Sequence, residues 1–209
     1  MFAQDIISND FNLKDEFGNT GFHLACLKGH LQVVCLLLQS AEAKEIDVKA
    51  QDKLGRNGFH LACQGGHKQV VKELLLQPDK ADVTAQDQDG NTGFHLACSE
   101  GHQDLVHLLL DHSDLSHAWN LNQCNGFHAA CAAGKLPVVS LLLDNMDHIQ
   151  LNAKNKLGLT GFHLACSHGH FDVVTHLIQN SEIIGMPFLT ARSLKRICCC
   201  LPFVKFCLS

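Results

Sequence analysis

The chain has 209 residues, 46% of them hydrophobic, and a net charge of −5. That composition can bury a continuous core, and the absence of a basic run within the repeated part argues against a nucleic-acid binder. Met1-Phe2-Ala3-Gln4-Asp5-Ile6-Ile7 shows no basic segment leading into an apolar one, so no secretory signal is read there. The eleven cysteines are then expected as free thiols in a reducing intracellular compartment, the cytoplasm.

The triplet Gly-Phe-His begins at Gly21, Gly58, Gly93, Gly126 and Gly161, giving steps of 37, 35, 33 and 35 residues. A fixed period of this size signals a repeat architecture. Residues 1–14 precede the first full unit, and Phe11-Asn12-Leu13-Lys14 looks like the end of another, so they are read as a partial repeat or N-terminal cap. From Asp15 each unit opens on a turn: Asp15-Glu16-Phe17-Gly18-Asn19-Thr20, then Asp52-Lys53-Leu54-Gly55-Arg56-Asn57, then Asp87-Gln88-Asp89-Gly90-Asn91-Thr92. Asp and Asn favour turns through side-chain bonds to the backbone, and Gly supplies a positive φ at the tip.

A short helix is predicted after each turn, N-capped by the Thr or Asn, running through Phe-His-Leu-Ala-Cys and ending near the Gly of Gly-His. A second helix follows at once over Leu31–Leu38, Lys68–Leu76 and Asp104–Leu110. These runs are apolar on more than one face, which suits burial between neighbouring units. Pro137 falls in the first turn of the matching helix of the fourth unit, where its missing N–H costs little.

In these positions the chain resembles the ankyrin-repeat family, whose pattern is a turn with Asp and Gly, then Thr-Pro-Leu-His-x-Ala-Ala, Gly-His, a Val-Val-x-x-Leu-Leu helix and an Asp-Val-Asn-Ala return. Asp47-Val48-Lys49-Ala50, Asp82-Val83-Thr84-Ala85 and Leu151-Asn152-Ala153 supply the return here. The resemblance covers about residues 15–180 and implies an all-α solenoid of about five helix-turn-helix units joined by hairpin-like turns, over 15–51, 52–86, 87–119, 120–154 and 155–180. It also implies a concave face used to bind proteins.

The departures from the pattern are regular. Gly replaces the family proline in all five units, and Phe22, Phe59, Phe94, Phe127 and Phe162 replace its leucine. Gly in place of Pro leaves about 0.4–1 kcal/mol more unfolded-chain entropy per site, which the larger Phe offsets through buried area. The fourth unit strays furthest, with Gln123 for the tip Gly, Lys135 for the His of Gly-His and Asn120 for Asp, and is expected to be the most irregular. The longer steps are expected as extra loop after the second helix, around Ser40–Glu45, because closure entropy grows slowly with length.

His23, Cys26 and His30 recur as His60/Cys63/His67, His95/Cys98/His102 and His163/Cys166/His170. These are zinc-capable residue types, so a His/Cys metal or redox sensor is one alternative. The simpler reading is structural: the first His bonds backbone across the turns, and Cys packs as a small hydrophobe. No cofactor is expected. A nucleophile repeated five times is a scaffold feature rather than a catalytic one, and an enzyme is not expected.

The expected function is a non-enzymatic interaction module or scaffold that binds a partner protein through the concave face and the hairpin tips. The candidate partner-binding residues are Phe17, Leu54, Arg56, Trp119, Leu157 and Leu159, with Lys28, Glu100 and His168 nearby. Apolar and Arg side chains at rigid exposed tips are what an interface hot spot requires. Residues 181–209 leave the repeat pattern: Arg192, Lys195 and Arg196 precede a Cys-rich apolar tail. That tail is far short of the ~18–20 apolar residues needed to span a bilayer. Cys198, Cys199 and Cys200 beside basic residues are candidates for S-acylation. The alternative function is therefore a membrane-tethered adaptor with peripheral membrane association.

Overall fold

The computed structural model describes residues 10–145 and 150–180. Their elements are helices and turns, in helix pairs that follow the repeat. The chain divides into two compact units, one up to Val83 and one from Thr84.

In the first unit, α1 (Gly21–Lys28) packs against α3 (Gly58–Gln64), and α2 (Leu31–Lys44) against α4 (Lys68–Leu75), with the short α5 (Pro78–Ala81) against α4. In the second unit, α9 (Gly126–Ala132) lies between α6 (Gly93–Glu100) and α11 (Gly161–Ser167). Behind that row, α10 (Leu136–Asp144) contacts both α7 (Gln103–Leu110) and α12 (Phe171–Gln179), and α8 (Ser113–Ser116) contacts α7.

Each first helix starts where the cap residues predict. Thr20 N donates to His23 Nδ1 at 3.1 Å while the His23 N–H approaches Thr20 Oγ1 at 3.5 Å, a reciprocal box that satisfies two otherwise orphaned donors. In the second and fourth repeats the cap is Asn, and its amide does more. Asn57 Oδ1 accepts from His60 N at 3.1 Å while Nδ2 donates to Asp82 O at 2.9 Å. Asn125 likewise accepts from His128 N at 3.1 Å and donates to Gln150 O at 3.1 Å. A Thr cap has no second arm of this kind, so the Asn units tie their turn to their own return segment.

Two expectations are corrected. The extra residues of the first interval are helical rather than loop: α2 runs on to Lys44 and ends at Glu45 in the left-handed region, φ 51°. The later intervals carry the short helices α5 and α8 in the same place. Ordered helical turns absorb the added length of the first two intervals, because Ile46 and Ala81 bury apolar surface beside them; the 33-residue third interval carries its helical turn without added length.

The fourth repeat, expected to be irregular, builds its turn and both helices in register. Gln123 adopts φ 55° where the other turns use Gly, an uncommon conformation for a side-chain-bearing residue. The same two bonds close the turn, Gln123 N to Asn120 O at 2.9 Å and Asn120 N to Cys124 O at 3.0 Å. Pro137 lies in the first turn of α10, as its missing N–H requires.

Candidate functional site

The turns are held rigidly from within. Asp15 Oδ1 accepts from Phe17 N and Asn19 N at 2.9 and 2.7 Å. Asp52, Asn120 and Asn155 repeat the pattern, with Leu54 N at 2.8 Å, Asn122 N at 3.0 Å and Leu157 N at 3.0 Å. Neighbouring tips are bonded to one another: Lys53 N to Phe17 O, Leu121 N to Asp89 O and Lys156 N to Asn122 O, each at 3.0 Å. A side chain at the third turn position is therefore fixed at its base and free at its end.

At that position stand Phe17, Leu54 and Leu157, with relative exposures of 63%, 55% and 80%. Asp89 and Asn122 take the same place in the third and fourth turns and are also exposed. Phe17 and Leu54 thus stand on neighbouring turns of the first unit that are bonded to each other through Lys53 N and Phe17 O. Leu121, which the sequence reading did not name, is a further exposed apolar tip residue, with its side chain over Gly90.

The other candidates divide. Arg56 is half-buried and engaged within its own repeat, with Nη2 2.7 Å from Asp52 Oδ2 and Nη1 donating to Gln64 Oε1 at 2.9 Å. Burial pushes the Asp52 carboxyl upward, but the Arg56 guanidinium and the turn N–H groups outweigh it and hold Asp52 below the ordinary carboxylate value. Leu159 is half-buried on the Asn155 turn. Trp119 is also half-buried and lies beside His128, ring centroids 6.3 Å apart, rather than at a tip. Lys28, Glu100 and His168 are exposed at the ends of the first helices, and the His168 ring stacks on His170 with planes 4° apart. Cys198, Cys199 and Cys200 lie outside the described residues.

The recurrent His and Cys are occupied structurally. His23 Nε2 donates to Arg56 O at 3.1 Å, His95 Nε2 to Cys124 O at 2.9 Å and His128 Nε2 to Ala153 O at 3.1 Å. A carbonyl can only accept, so Nε2 carries the proton, and in the Thr-capped units Nδ1 receives the Thr N–H. At His23 and His95 both ring nitrogens are thus occupied. Burial lowers the pKa of His23 and His128, against the pull of these carbonyls. Burial also pushes the Cys26 thiol up to about 12 and raises Cys63 and Cys131, so these thiols stay protonated and weakly reactive.

The Gly-for-Pro and Phe-for-Leu departures turn out to be one feature. A Cβ on Gly58 would lie 2.5 Å from Phe22 Cε1 and 3.0 Å from Cys26 Sγ; on Gly161 it would lie 2.7 Å from Phe127 Cε1 and 2.9 Å from Cys131 Sγ. Phe22, Phe94 and Phe127 fill the space that Gly58, Gly126 and Gly161 of the following repeat leave open. Their invariable pairing in the sequence was the available signal.

The sequence profile for ankyrin repeats (three copies) matches residues 2–87, 41–119, 59–155 and 115–185. The chain belongs to the ankyrin-repeat family. No curated protein matches its sequence. Ankyrin repeats are in general protein–protein interaction modules. Among the described residues no helix is long and apolar enough to cross a membrane.

Proposed function

We propose that this ankyrin-repeat chain is a non-enzymatic scaffold that binds a partner protein, with the tip residues Phe17 and Leu54 as the anchor in its first unit and Leu157 as a second in the other. The observation that carries the reading is the pairing of high exposure with a fixed base. A large apolar side chain held on a bonded turn loses little entropy when it is covered. Single exposed apolar residues are ordinary on protein surfaces, but two on adjacent bonded tips form a patch. Arg56 serves this patch as a brace for the Leu54 turn, since its guanidinium is committed to Asp52 and Gln64.

The test compares the native chain with a Phe17→Ser, Leu54→Ser, Leu157→Ser variant of unchanged helical content by circular dichroism, each used to capture proteins from cell lysate. A partner held by the native chain and lost by the variant supports the reading. Equal capture by both shows that the tips are inert.

A further inference from the structure

A Thr cap and an Asn cap present different chemistry to the histidine ring that follows them. In the third repeat Thr92 Oγ1 lies 3.0 Å from His95 Nδ1, and His95 Nε2 donates to Cys124 O at 2.9 Å. A hydroxyl can donate or accept. The Thr92 O–H therefore donates to Nδ1, and a neutral ring meets both partners.

The fourth repeat has no such freedom. Asn125 Oδ1 lies 2.7 Å from His128 Nδ1, and Ala153 O lies 3.1 Å from His128 Nε2. The amide is fixed in that orientation by two other bonds, since Oδ1 accepts from His128 N and Nδ2 donates to Gln150 O, each at 3.1 Å. Exchanging its ends would set donor against donor and acceptor against acceptor at both places. The second repeat has the same cap contact: Asn57 Oδ1 lies 2.7 Å from His60 Nδ1, with its amide fixed by His60 N and Asp82 O.

Both ring nitrogens of His128 thus face oxygens that only accept. A neutral imidazole carries one N–H, so whichever nitrogen holds it, the other turns a lone pair on an oxygen. The Asn125 N–H also points at Nδ1, but from 3.4 Å. A ring protonated on both nitrogens satisfies both close contacts, with charge-assisted bonds that are stronger than neutral ones. Burial opposes that charge, while the Leu159 and Ala153 carbonyls favour it. Glu100 of α6, Asp144 of α10 and Lys154 and Lys156 of the following turn are exposed. The flanking helices α6 and α11 add the Thr-capped rings of His95 and His163, and the Trp119 ring lies alongside.

We propose that the Asn-capped His128 is a proton-operated latch: within the folded chain it takes up a second proton at Nδ1, and that proton closes a bond between the ring and Asn125. No heavy atom leaves its place. The lone pair at 2.7 Å from Oδ1 becomes an N–H donating to it, and the Asn125 N–H gives up its longer contact. Because Asn125 and His128 also hold Gln150 O and Ala153 O, the latch ties the turn and first helix of the fourth repeat to its return segment. A Thr cap gains no bond in the same step, since protonation there only reverses the direction of the existing one. An Asn cap favours the charged ring, so relative to a Thr cap its contribution is present in acid and is lost as pH rises through the titration of the ring.

NMR of the imidazole nitrogens, followed from about pH 7.5 to about pH 5 with circular dichroism reporting the fold, tests this. In the native chain both His128 nitrogens are expected to reach the protonated form while the chain is still folded. Asn125→Thr is expected to lower the pH at which they do so, and Thr20→Asn, the reverse exchange in the other unit, to raise it for His23. A native His128 that keeps a bare Nδ1 for as long as the chain is folded overturns the proposal. So does a His128 midpoint that folded Asn125→Thr leaves unchanged or raises, or a His23 midpoint that folded Thr20→Asn fails to raise.

Discussion

The first and second helix pairs of the first unit share one motif and differ in what covers it. Gly21-Phe22-His23-Leu24 and Gly58-Phe59-His60-Leu61 differ in no residue type, yet Leu24 is exposed and Leu61 is sealed, and among the described residues nothing lies within 4 Å of a Cβ on Gly21 while Gly58 is filled by Phe22. The burial of a repeat residue is therefore set by its neighbour as much as by itself, as expected when stability is a sum of repeat and nearest-neighbour interface contributions.

The largest break in that comparison should come from removing the filling side chain. Phe22→Ala empties the space over Gly58 and is expected to cost about 3–5 kcal/mol, measured by urea denaturation; a loss below about 1 kcal/mol would mean the stack collapses around the gap. Next comes the glycine itself. Gly58→Ala drives a methyl into the Phe22 ring and is expected to destabilise by about 1–3 kcal/mol. Gly21→Ala, with open space around it, is expected to be neutral or to stabilise by up to about 1 kcal/mol. Equal losses at both sites would show that the ring contact is not the reason for glycine.

A gain is expected at Lys135. Its methylenes cover Gly101 as the His67 ring covers Gly29, but an ammonium chain does not reproduce the ring's bond to the preceding carbonyl. Lys135→His should restore it and add about 0.5–1.5 kcal/mol, read as a higher urea midpoint with unchanged slope.

The mildest perturbation is pH. The buried first histidines His23 and His128, and the less buried His163, have folded pKa values below the ordinary 6.5. The unfolded chain then binds protons that the folded chain refuses. The stabilising contribution is complete above the unfolded value and is lost as pH falls from there through the folded values. The urea midpoint should drop between about pH 7.5 and about pH 5.5, and His23→Gln should drop less. A midpoint flat across that interval would show these rings are not held neutral.

Much of this was legible because it is local. The Thr and Asn caps, the Asp and Asn turns and the glycines after the first helices all act within six residues, and each forms as predicted. The return character of Asn12 was also readable, and the structure pairs it with Glu45 and Asp47. The run of α2 to Lys44 was not readable, since Gln39-Ser40-Ala41-Glu42 serves a loop or a helix equally well until Ala41 finds a buried place. The irregularity expected of the fourth repeat failed for a related reason. A single residue such as Gln123 can be held at positive φ by the same pair of turn bonds that hold glycine elsewhere.

Among the candidate site residues, exposure at Phe17, Leu54 and Leu157 follows from turn position alone. The engagement of Arg56 does not, because its partner Gln64 is eight residues away across a turn and a helix start. By itself the sequence determined the repeat, its period, its caps and its turn tips, since those depend on bonds between residues close in the chain. Only the tertiary structure decided that Gly58 and Phe22 form one lock across repeats and that Leu61 is sealed while the like-placed Leu24 is exposed. Those properties depend on which face meets a neighbour, and packing decides that where identical motifs leave it open.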